Sequence, residues 1–286
     1  MSNGLIDMHL HTNYSDGDLS PNELIQKAID NNIDTMAITD HNTVDGLKNY
    51  DKKFKKKIEI INGIELSAKV PKGTFHILGY DIDINDENLN SKMYELKNNS
   101  LQRVLSLIEQ LKKDYGIVFD YQDIKDLVNS NHNLGRPDLA KLLIKQRKVS
   151  SVDDAFQKYL IEANRKTKGI NKEIDYIECL DIILKSGGLP VLAHPKSLKL
   201  SLSELTGLIE KMKYYGLAGI EVFHPTHDDN ERKLYLELAK KYNLLISGGT
   251  DYHGIITKPD IEIGTGKDNN IKIKKLSLLD KIQNRR

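Results

Sequence analysis

Runs of apolar residues in this chain repeatedly end in a side chain that can bind a metal ion. The first run, residues 6–10, is followed at once by a polar turn and carries His9, with His11 two positions later. Side chains of a strand alternate between its two faces, so these two imidazoles project from the same face. Such a pair is typical of a metal site, although a pair of structural histidines would look the same. The rest of the chain has to supply matching ligands.

Strand-like apolar runs alternate with helical segments in the first and last thirds of the chain, and this pattern predicts an α/β fold with a parallel sheet. The first helix is expected to begin after Ser20, because Ser20, Pro21 and Glu23 form a capping box with proline at the first helical position. The C-terminal stretch is interpreted as a short strand and a basic helix. Further strands are predicted at residues 35–39, 58–65, 75–79, 189–195, 220–224 and 244–250.

The strand signals disappear between about residues 91 and 169. Apolar side chains from Leu101 to Leu111 recur at helical spacing there, and Gly116 is expected to end that helix. Only residues 117–119 retain some strand character. We therefore predict that residues 1–90 and 170–286 form one α/β domain and that residues 91–169 are an inserted helical subdomain.

Composition narrows the possible functions. The formal net charge of the 286-residue chain is +1, which gives no broad electrostatic surface for long nucleic acids or anionic membranes. A single cysteine, Cys179, excludes an internal disulfide framework and a cysteine-rich zinc site. Neither a signal peptide nor an apolar run of membrane-spanning length is recognisable, so a cytoplasmic location is expected. Any metal must be held by His, Asp and Glu.

Further metal-capable side chains stand where the predicted strands end, the place where functional groups gather in folds of parallel strands. His132 and His227 are the two of the nine histidines that clearly lie away from the predicted strands. Nitrogen and carboxylate oxygen ligands suit Zn, Mn or Fe. The candidate side chains for a multi-metal site are His9, His11, His41, Glu65, His76, His194, His224, Asp251 and His253, with Asp16 in the turn after the first strand.

The motifs around these residues resemble those of the PHP (polymerase and histidinol phosphatase) family. They are Asp7-Met8-His9-Leu10-His11-Thr12, Asp16-Gly17, Thr39-Asp40-His41-Asn42, Gly63-Ile64-Glu65, His76, Ala193-His194-Pro195 and Gly249-Thr250-Asp251-Tyr252-His253. The resemblance implies a distorted (β/α)7 TIM-like barrel with up to three divalent metal ions. It implies a first ion on His9, His11, Glu65 and Asp251, a second on Glu65, His76 and His194, and a third on Asp16, His41 and His253.

The resemblance also implies the chemistry, which is hydrolysis of a phosphate monoester by water that the metals activate. Glu65 and Asp251 would serve this chemistry as metal-binding carboxylates. His224, in an element similar to the family's His-Pro-x-His, would act as a general acid or contact the phosphate. A structural histidine at a strand end is the alternative for His224.

Within the family, the chain most resembles the branch with a helical insertion that acts on nucleoside 3′,5′-bisphosphates and short RNA 5′ ends. Arg136 in Asn133-Leu134-Gly135-Arg136-Pro137-Asp138 would bind a substrate phosphate, unless it is an ordinary loop arginine. Asp138 stands where the family has histidine, and its carboxylate would repel a second phosphate. After the insertion, Arg165, Lys166 and Lys168 replace the family's usual pattern and are interpreted as a solvated charge run that could also offer a substrate contact.

The sequence therefore predicts a phosphoesterase that removes a terminal phosphate from a nucleoside 3′,5′-bisphosphate or a short 5′-phosphorylated oligonucleotide. Three alternatives stay open. One is a histidinol-phosphate or other small-metabolite phosphatase, which the change at Asp138 favours slightly. Another is a C–N bond hydrolase of a related metal-barrel superfamily, which would not need Asp16, His41 and His253. The third is a metal- or nucleotide-binding regulatory module, which the complete ligand set disfavours.

Overall fold

The computed structural model describes residues 4–69, 73–130, 133–167 and 174–285. Within these residues, strands alternate with helices as the sequence predicts, except that the fourth strand follows the third with no helix between them. The strands are β1 (Leu5–Leu10), β2 (Ile33–Ile38), β3 (Glu59–Ala68), β4 (Phe75–Tyr80), β5 (Leu189–Leu192), β6 (Gly219–Phe223) and β7 (Leu245–Gly248). The α-helices are α1 (Pro21–Asp30), α2 (Asp45–Lys48), α3 (Glu87–Tyr115), α4 (Tyr121–Val128), α5 (Arg136–Lys145), α6 (Val152–Ala155), α7 (Ile161–Lys166), α8 (Tyr176–Lys185), α9 (Leu202–Tyr214), α10 (Asp229–Tyr242) and α11 (Ser277–Gln283).

The seven strands form one sheet in the order of the sequence. The expectation of a wholly parallel sheet is wrong at β4, which runs antiparallel to both β3 and β5. Only six residues separate Ala68 from Phe75, too few for the crossover of about a dozen residues that a parallel neighbour requires. As a result, the first residues of β4 lie at the same edge as the carboxyl ends of the parallel strands.

The edge strands β1 and β7 are brought together by their flanking residues instead of a strand ladder. Leu10 forms an isolated parallel bridge with Tyr252. The buried carboxylate of Asp7 on β1 accepts hydrogen bonds from the Thr250 amide at 2.9 Å, the Thr250 hydroxyl at 2.6 Å and the Gly264 amide at 2.8 Å. These contacts fix the segment after β7 against the end of β1, where both carry candidate ligands.

Helix α3 connects two packed regions. Leu89 and Met93 near its start belong to the core that packs helices against the sheet. Val104 and Leu111 in its second half belong to a separate core formed with α5, α6 and α7. Gly116, with φ of 64°, ends the helix in a left-handed conformation as predicted.

Three smaller expectations need correction. Residues 117–119 form no strand; the side chains of Ile117 and Phe119 are instead buried in the second core. The expected C-terminal strand is absent from residues 271–276, which have no regular secondary structure and precede α11. The polar stretch of residues 163–172 is predicted from the sequence to be the exit linker of the insertion, but Ala163 is buried inside α7, so the helical segment continues to Lys166.

The capping box predicted at Ser20 is confirmed. The Ser20 amide donates to the Glu23 carboxylate at 2.8 Å, and the Glu23 amide donates back to the Ser20 hydroxyl at 3.4 Å. Helix α1 therefore begins where the sequence indicates.

Helices of the described ranges include none that is long and apolar enough to cross a membrane.

Candidate metal centre

All nine predicted ligand side chains lie in one cluster at the carboxyl edge of the sheet. Strands β1, β2, β5 and β7 deliver their ligands at or just after their last residues, and β3 delivers Glu65 beside the end of β2. His76 is the second residue of the antiparallel β4, and it joins the cluster because that strand begins at this edge. The reversed strand thus explains a histidine that a parallel sheet would have placed at the opposite edge.

The buried carboxylate of Glu65 is the centre of the cluster, because five imidazoles surround it. Its Oε2 lies 3.2 Å from His9 Nε2, 3.2 Å from His11 Nε2 and 3.1 Å from His41 Nδ1, and its Oε1 lies 2.9 Å from both His76 Nδ1 and His194 Nε2. A carboxylate whose two oxygens each lie beside imidazole nitrogens can bind one metal ion through each oxygen. This is the arrangement that the resemblance implies for Glu65.

Two aspartates flank this centre. Asp251 Oδ1 lies 3.2 Å from His11 Nε2 and 3.4 Å from His9 Nε2. Asp16 Oδ1 lies 3.1 Å from His253 Nε2, and its Oδ2 lies 3.8 Å from His41 Nε2. Among these distances, the shortest for Asp251 is to His11 of the opening motif, whereas the shortest for Asp16 is to His253.

Three overlapping groups have donor atoms that all lie within 4.8 Å of one another. They are His9, His11, Glu65 and Asp251; His41, Glu65 and His76; and His11, Asp16, His41 and His253. We call the last of these the third ligand group. His194 adjoins the second group through its contact with Glu65 Oε1. His11, His41 and Glu65 are each shared between two groups, so any ions held here would lie close together.

Buried polar atoms in this cluster show that divalent cations fit it. Among the described residues, six ligand atoms are buried without a hydrogen-bond partner, a costly arrangement in a protein interior. These atoms are His9 Nε2, His11 Nδ1, His11 Nε2, Asp16 Oδ1, His41 Nδ1 and Glu65 Oε2. Cations that prefer nitrogen and carboxylate ligands would satisfy them. The donor set is therefore that of a divalent metal centre.

The electrostatics of the cluster keep its carboxylates ionised. Burial opposes the charge of Glu65, but the imidazoles of His76 and His41 outweigh it and hold the pKa of that carboxyl well below its usual range. Burial lowers the pKa of the His41 imidazole to about 3. Burial also opposes protonation of His11, but contacts with Asp251 and Glu65 outweigh it and raise the pKa to about 9. The site thus offers negative oxygens for cations to neutralise.

Two candidate ligands are held in strained backbone conformations. His194 has φ of 22° and Asp251 has φ of 53°, values that non-glycine residues rarely adopt. Strain of this kind costs about 1–3 kcal/mol and persists where surrounding structure fixes it. The fold therefore gives up some stability in directing these two side chains into the cluster.

A buried carboxylate outside the predicted set orients two of the ligands. Glu221 Oε1 lies 2.9 Å from His9 Nδ1, and Glu221 Oε2 accepts the His194 amide at 2.7 Å. This contact leaves His9 Nε2 facing Glu65 and Asp251. Sequence reasoning assigned no role to Glu221, although a charged residue between Ile220 and Val222 of an apolar strand is the signal that could have identified it.

The cluster opens onto a cavity of about 770 Å³ between the sheet edge and the helical insertion. Among the described residues, every carboxylate of the lining is a predicted ligand, namely Asp16, Glu65 and Asp251. Five cationic side chains complete the charged lining: Arg103, Arg136, Lys196, Lys199 and Lys258. Beyond the metal ligands the charged side chains of the described lining are therefore all cations, two of which pair with carboxylates: Lys258 with Asp251, and Lys196 with Glu231 at 2.8 Å.

Arg136 and His224 both line this cavity. The Arg136 guanidinium lies over the ring of Phe156, 5.2 Å from its centre, an arrangement that stabilises a cation. His224 Nε2 lies 3.4 Å from Asp251 Oδ2, and its Nδ1 accepts the Thr226 amide at 3.2 Å. If the ring is neutral, this acceptor role places its proton on Nε2, the nitrogen that faces the aspartate.

Other residues discussed from the sequence lie away from the cavity. Asp138 is buried and accepts the Gly135 amide at 2.7 Å, so its carboxylate caps the start of α5 and is absent from the lining. Arg165 and Lys166 lie 2.7 and 2.8 Å from Glu162 and Asp114, as expected for a solvated charge run. His227 Nδ1 donates to the Val222 carbonyl of β6 at 2.9 Å. His132 and Lys168 lie outside the described residues.

Matches to known proteins identify the chain as a metal-dependent hydrolase that acts on phosphoester bonds. The chain belongs to the PHP family, because the family model of the PHP domain matches residues 7–181. A solved structure of a proposed metal-dependent phosphoesterase from Bifidobacterium adolescentis superposes with a TM-score of 0.81 at 25% identity, covering 98% of this chain and 96% of that one. The α/β class and the PHP fold expected from the sequence are confirmed.

Curated relatives cover most of the chain. The 5′-3′ exoribonuclease Rnm of Escherichia coli is 31% identical over 91% of this chain and 88% of its own length. The phosphoribosyl 1,2-cyclic phosphate 1,2-diphosphodiesterase of Eggerthella lenta is 30% identical over 87% of this chain and 94% of its own. The 3′,5′-nucleoside bisphosphate phosphatase of Chromobacterium violaceum is 26% identical over 87% of each chain. All three names describe hydrolysis of phosphoesters.

Proposed function

We propose that this chain removes a terminal phosphate from a nucleoside 3′,5′-bisphosphate or a short 5′-phosphorylated oligonucleotide, using up to three divalent cations. The observation that carries the proposal is the described lining of the cavity, where every carboxylate is a candidate metal ligand and five cations surround them. A volume of about 770 Å³ accommodates a nucleotide. The names of the Escherichia coli and Chromobacterium violaceum relatives support this choice of substrate.

The three overlapping ligand groups would hold the cations, with Glu65 bridging two of them. Mn, Zn and Fe all suit their nitrogen and carboxylate donors. When bound, such ions supply a water nucleophile near neutral pH and neutralise charge on the phosphoryl oxygens. The protein supplies no nucleophile of its own in this proposal.

The chain's own side chains would bind and orient the substrate. Arg136, whose guanidinium lies over the Phe156 ring, is the residue type that binds a phosphate through two parallel N–H donors. His224 presents Nε2–H toward the ligand Asp251, and burial lowers the pKa of its imidazole. A neutral ring with this tautomer has one N–H to donate, either to Asp251 or to a phosphate oxygen beside it, and lacks the acidic proton that the general-acid role requires.

A phosphate-release assay with the Mn²⁺-loaded, full-length chain tests the proposal. It should compare a nucleoside 3′,5′-bisphosphate, a 5′-phosphorylated dinucleotide and histidinol phosphate. We expect the nucleotide substrates to give kcat/KM at least about tenfold above that for histidinol phosphate, and Asp251→Asn to abolish release through lost metal. A large preference for histidinol phosphate would overturn the substrate assignment, and full activity of Asp251→Asn would overturn the metal assignment.

Hydrolysis of a cyclic phosphate diester is a second candidate, because the Eggerthella lenta relative matches this chain over nearly its whole length. A five-membered cyclic sugar phosphate should therefore be a further substrate in the same assay. The product distinguishes the two activities. Ring opening alone yields a phosphate monoester without free phosphate, whereas the main proposal requires free phosphate from the monoester.

A further inference from the structure

We propose that Asp18 and Lys141 form a positioning bridge that holds the third ligand group in place and couples cation binding there to the seating of helix α5. Neither residue is a candidate ligand. The inference rests on the metal assignment of the proposed function and is independent of which phosphoester is hydrolysed.

Asp18 joins separate parts of the chain. Its side chain is only 7% exposed. One oxygen, Oδ2, accepts the amides of Ile256 at 2.7 Å and Thr257 at 3.2 Å. The other oxygen, Oδ1, accepts the Thr257 hydroxyl at 2.8 Å and lies 3.1 Å from Lys141 Nζ. A carboxylate with four donors from two other segments locks the loop after β7 to the turn after β1.

Lys141 extends this bridge from the insertion to the ligand Asp16. Its Nζ donates to the carbonyl oxygens of Asp16 at 3.2 Å and Gly17 at 3.4 Å. The Asp18 amide in turn donates to the His253 carbonyl at 2.7 Å. The bridge therefore makes hydrogen bonds to the backbone carbonyls of both Asp16 and His253. In the third ligand group, Asp16 Oδ1 lies 3.1 Å from His253 Nε2.

A second contact from the insertion reaches the same group. The Asn133 side-chain amide donates to the His41 carbonyl at 3.0 Å, and its backbone amide donates to the Tyr14 carbonyl at 2.9 Å. The insertion thus touches the backbone at two ligands of this group. Packing of α5 against these loops is expected to order the third ligand group and so to strengthen cation binding there. By thermodynamic linkage, cation binding then stabilises the packing of α5 by the same free energy.

Lys141→Met is the decisive variant, because a positioning role and a purely electrostatic role of Lys141 predict opposite changes in the affinity for a cation at the third ligand group. Loss of a positive charge beside a cation site strengthens cation binding by Coulomb's law. Loss of positioning weakens it. We expect Lys141→Met to bind one Mn²⁺ equivalent at least about tenfold more weakly than the parent chain, with the other equivalents changed less than about twofold, when free Mn²⁺ is followed by electron paramagnetic resonance.

Two further variants serve as the ligand-removal variant and the control for this measurement. His253→Ala removes a ligand and should eliminate the equivalent that Lys141→Met weakens. Lys145→Met is the matched control, because Lys145 lies one turn along α5 and its ion pair of 2.5 Å with Asp123 stays inside the insertion. Amide hydrogen exchange of α5 provides the second measurement. Mn²⁺ should slow exchange in the parent chain and in Lys145→Met, and this effect should be lost in Lys141→Met.

The outcomes separate this inference from the proposed function. If His253→Ala removes an ion but Lys141→Met binds all ions as tightly as the parent or more tightly, the positioning bridge is wrong and the metal assignment stands. If Lys141→Met weakens every equivalent alike, a general loss of structure explains the result and the bridge is also wrong. If His253→Ala removes no ion, both the metal assignment and this inference fail.

Discussion

At the scale of single residues, a carboxylate that is not itself a candidate ligand determines which ring nitrogen of His9 faces the candidate metal site. Glu221 Oε1 lies 2.9 Å from His9 Nδ1, and His9 Nε2 then lies 3.2 Å from Glu65. Carboxylates that hold a ligating histidine in this way fix its tautomer and strengthen its basicity. Glu221 is therefore expected to act on the metals through His9.

The substitution Glu221→Gln tests this role. We expect the affinity for the ion on His9 to fall about 10- to 100-fold, the range found when such supporting residues are lost. Mn²⁺ titration of the metal-free chain measures it. Glu210→Gln is the control, because Glu210 lies on α9 and accepts the Tyr242 hydroxyl at 2.6 Å, away from the site. Unchanged affinity in Glu221→Gln would show that His9 needs no such support.

Arg136 carries the second prediction at this scale. Replacement by methionine removes both donors offered to a phosphate, so KM for a bisphosphate should rise at least about tenfold while the number of bound metals stays the same. Steady-state kinetics and metal analysis of the same preparation measure both. Arg165→Met is the matched control, because Arg165 pairs with Glu162 outside the cavity. An equal loss in both variants would contradict a specific role for Arg136.

Candidate ligands could be recognised from the local sequence pattern, whereas the residues that support them could not. His9, His11 and Asp251 follow apolar runs, so their position at strand ends could be inferred from local pattern. Glu221 and Asp18 gain their roles only from partners over a hundred residues away, namely His9 and Lys141. No local spacing encodes such pairings, which the fold alone brings together.

At the scale of elements, β4 shows that connection length can overrule the general pattern. The alternation of strands and helices predicts parallel strands, but the connection to β4 is too short for a crossover. Residues 117–119 show a second limit, since three apolar residues fit a strand and a buried loop equally well. Helix bounds were more predictable, because caps such as Ser20 and Gly116 mark them locally.

A pair of glycine substitutions tests the assignment of the α3 terminus. Gly116→Ala places a side chain in the left-handed conformation, with φ of 64°, and should lower the free energy of unfolding by about 1 kcal/mol. Gly207→Ala, inside α9 with open space around it, should raise that free energy by about 0.5–1 kcal/mol. Thermal and denaturant unfolding of the metal-free chain measure both. Shifts of the same sign would contradict the assigned cap.

At the scale of the whole molecule, we expect the charged cluster to couple metal binding to stability. Six buried ligand atoms of the described chain lack hydrogen-bond partners, so the metal-free fold carries a desolvation cost that bound cations would remove. The sequence predicted that these atoms would meet, but their lack of partners depends on the packed fold. The cavity is likewise a property of the assembled chain, because the insertion and the sheet edge line it together.

Chelation should therefore destabilise the protein. A cation present at about 100 times its Kd adds about 2.7 kcal/mol to the free energy of unfolding. We expect Tm to fall by several degrees when Mn²⁺ is removed with excess chelator and to recover when Mn²⁺ is restored. Asp251→Asn should show a smaller difference between the two states, and a Tm independent of Mn²⁺ in the parent chain would contradict a resident metal centre.

The most direct test of the metal centre is an anomalous difference map, recorded near the Mn absorption edge from crystals of the Mn²⁺-loaded chain. We expect strong peaks among the nine ligand side chains, with one peak beside Glu65 and Asp251 and a separate peak beside Asp16 and His253. A map without peaks in this cluster, or with peaks only elsewhere on the chain, would contradict the assignment of these side chains as metal ligands.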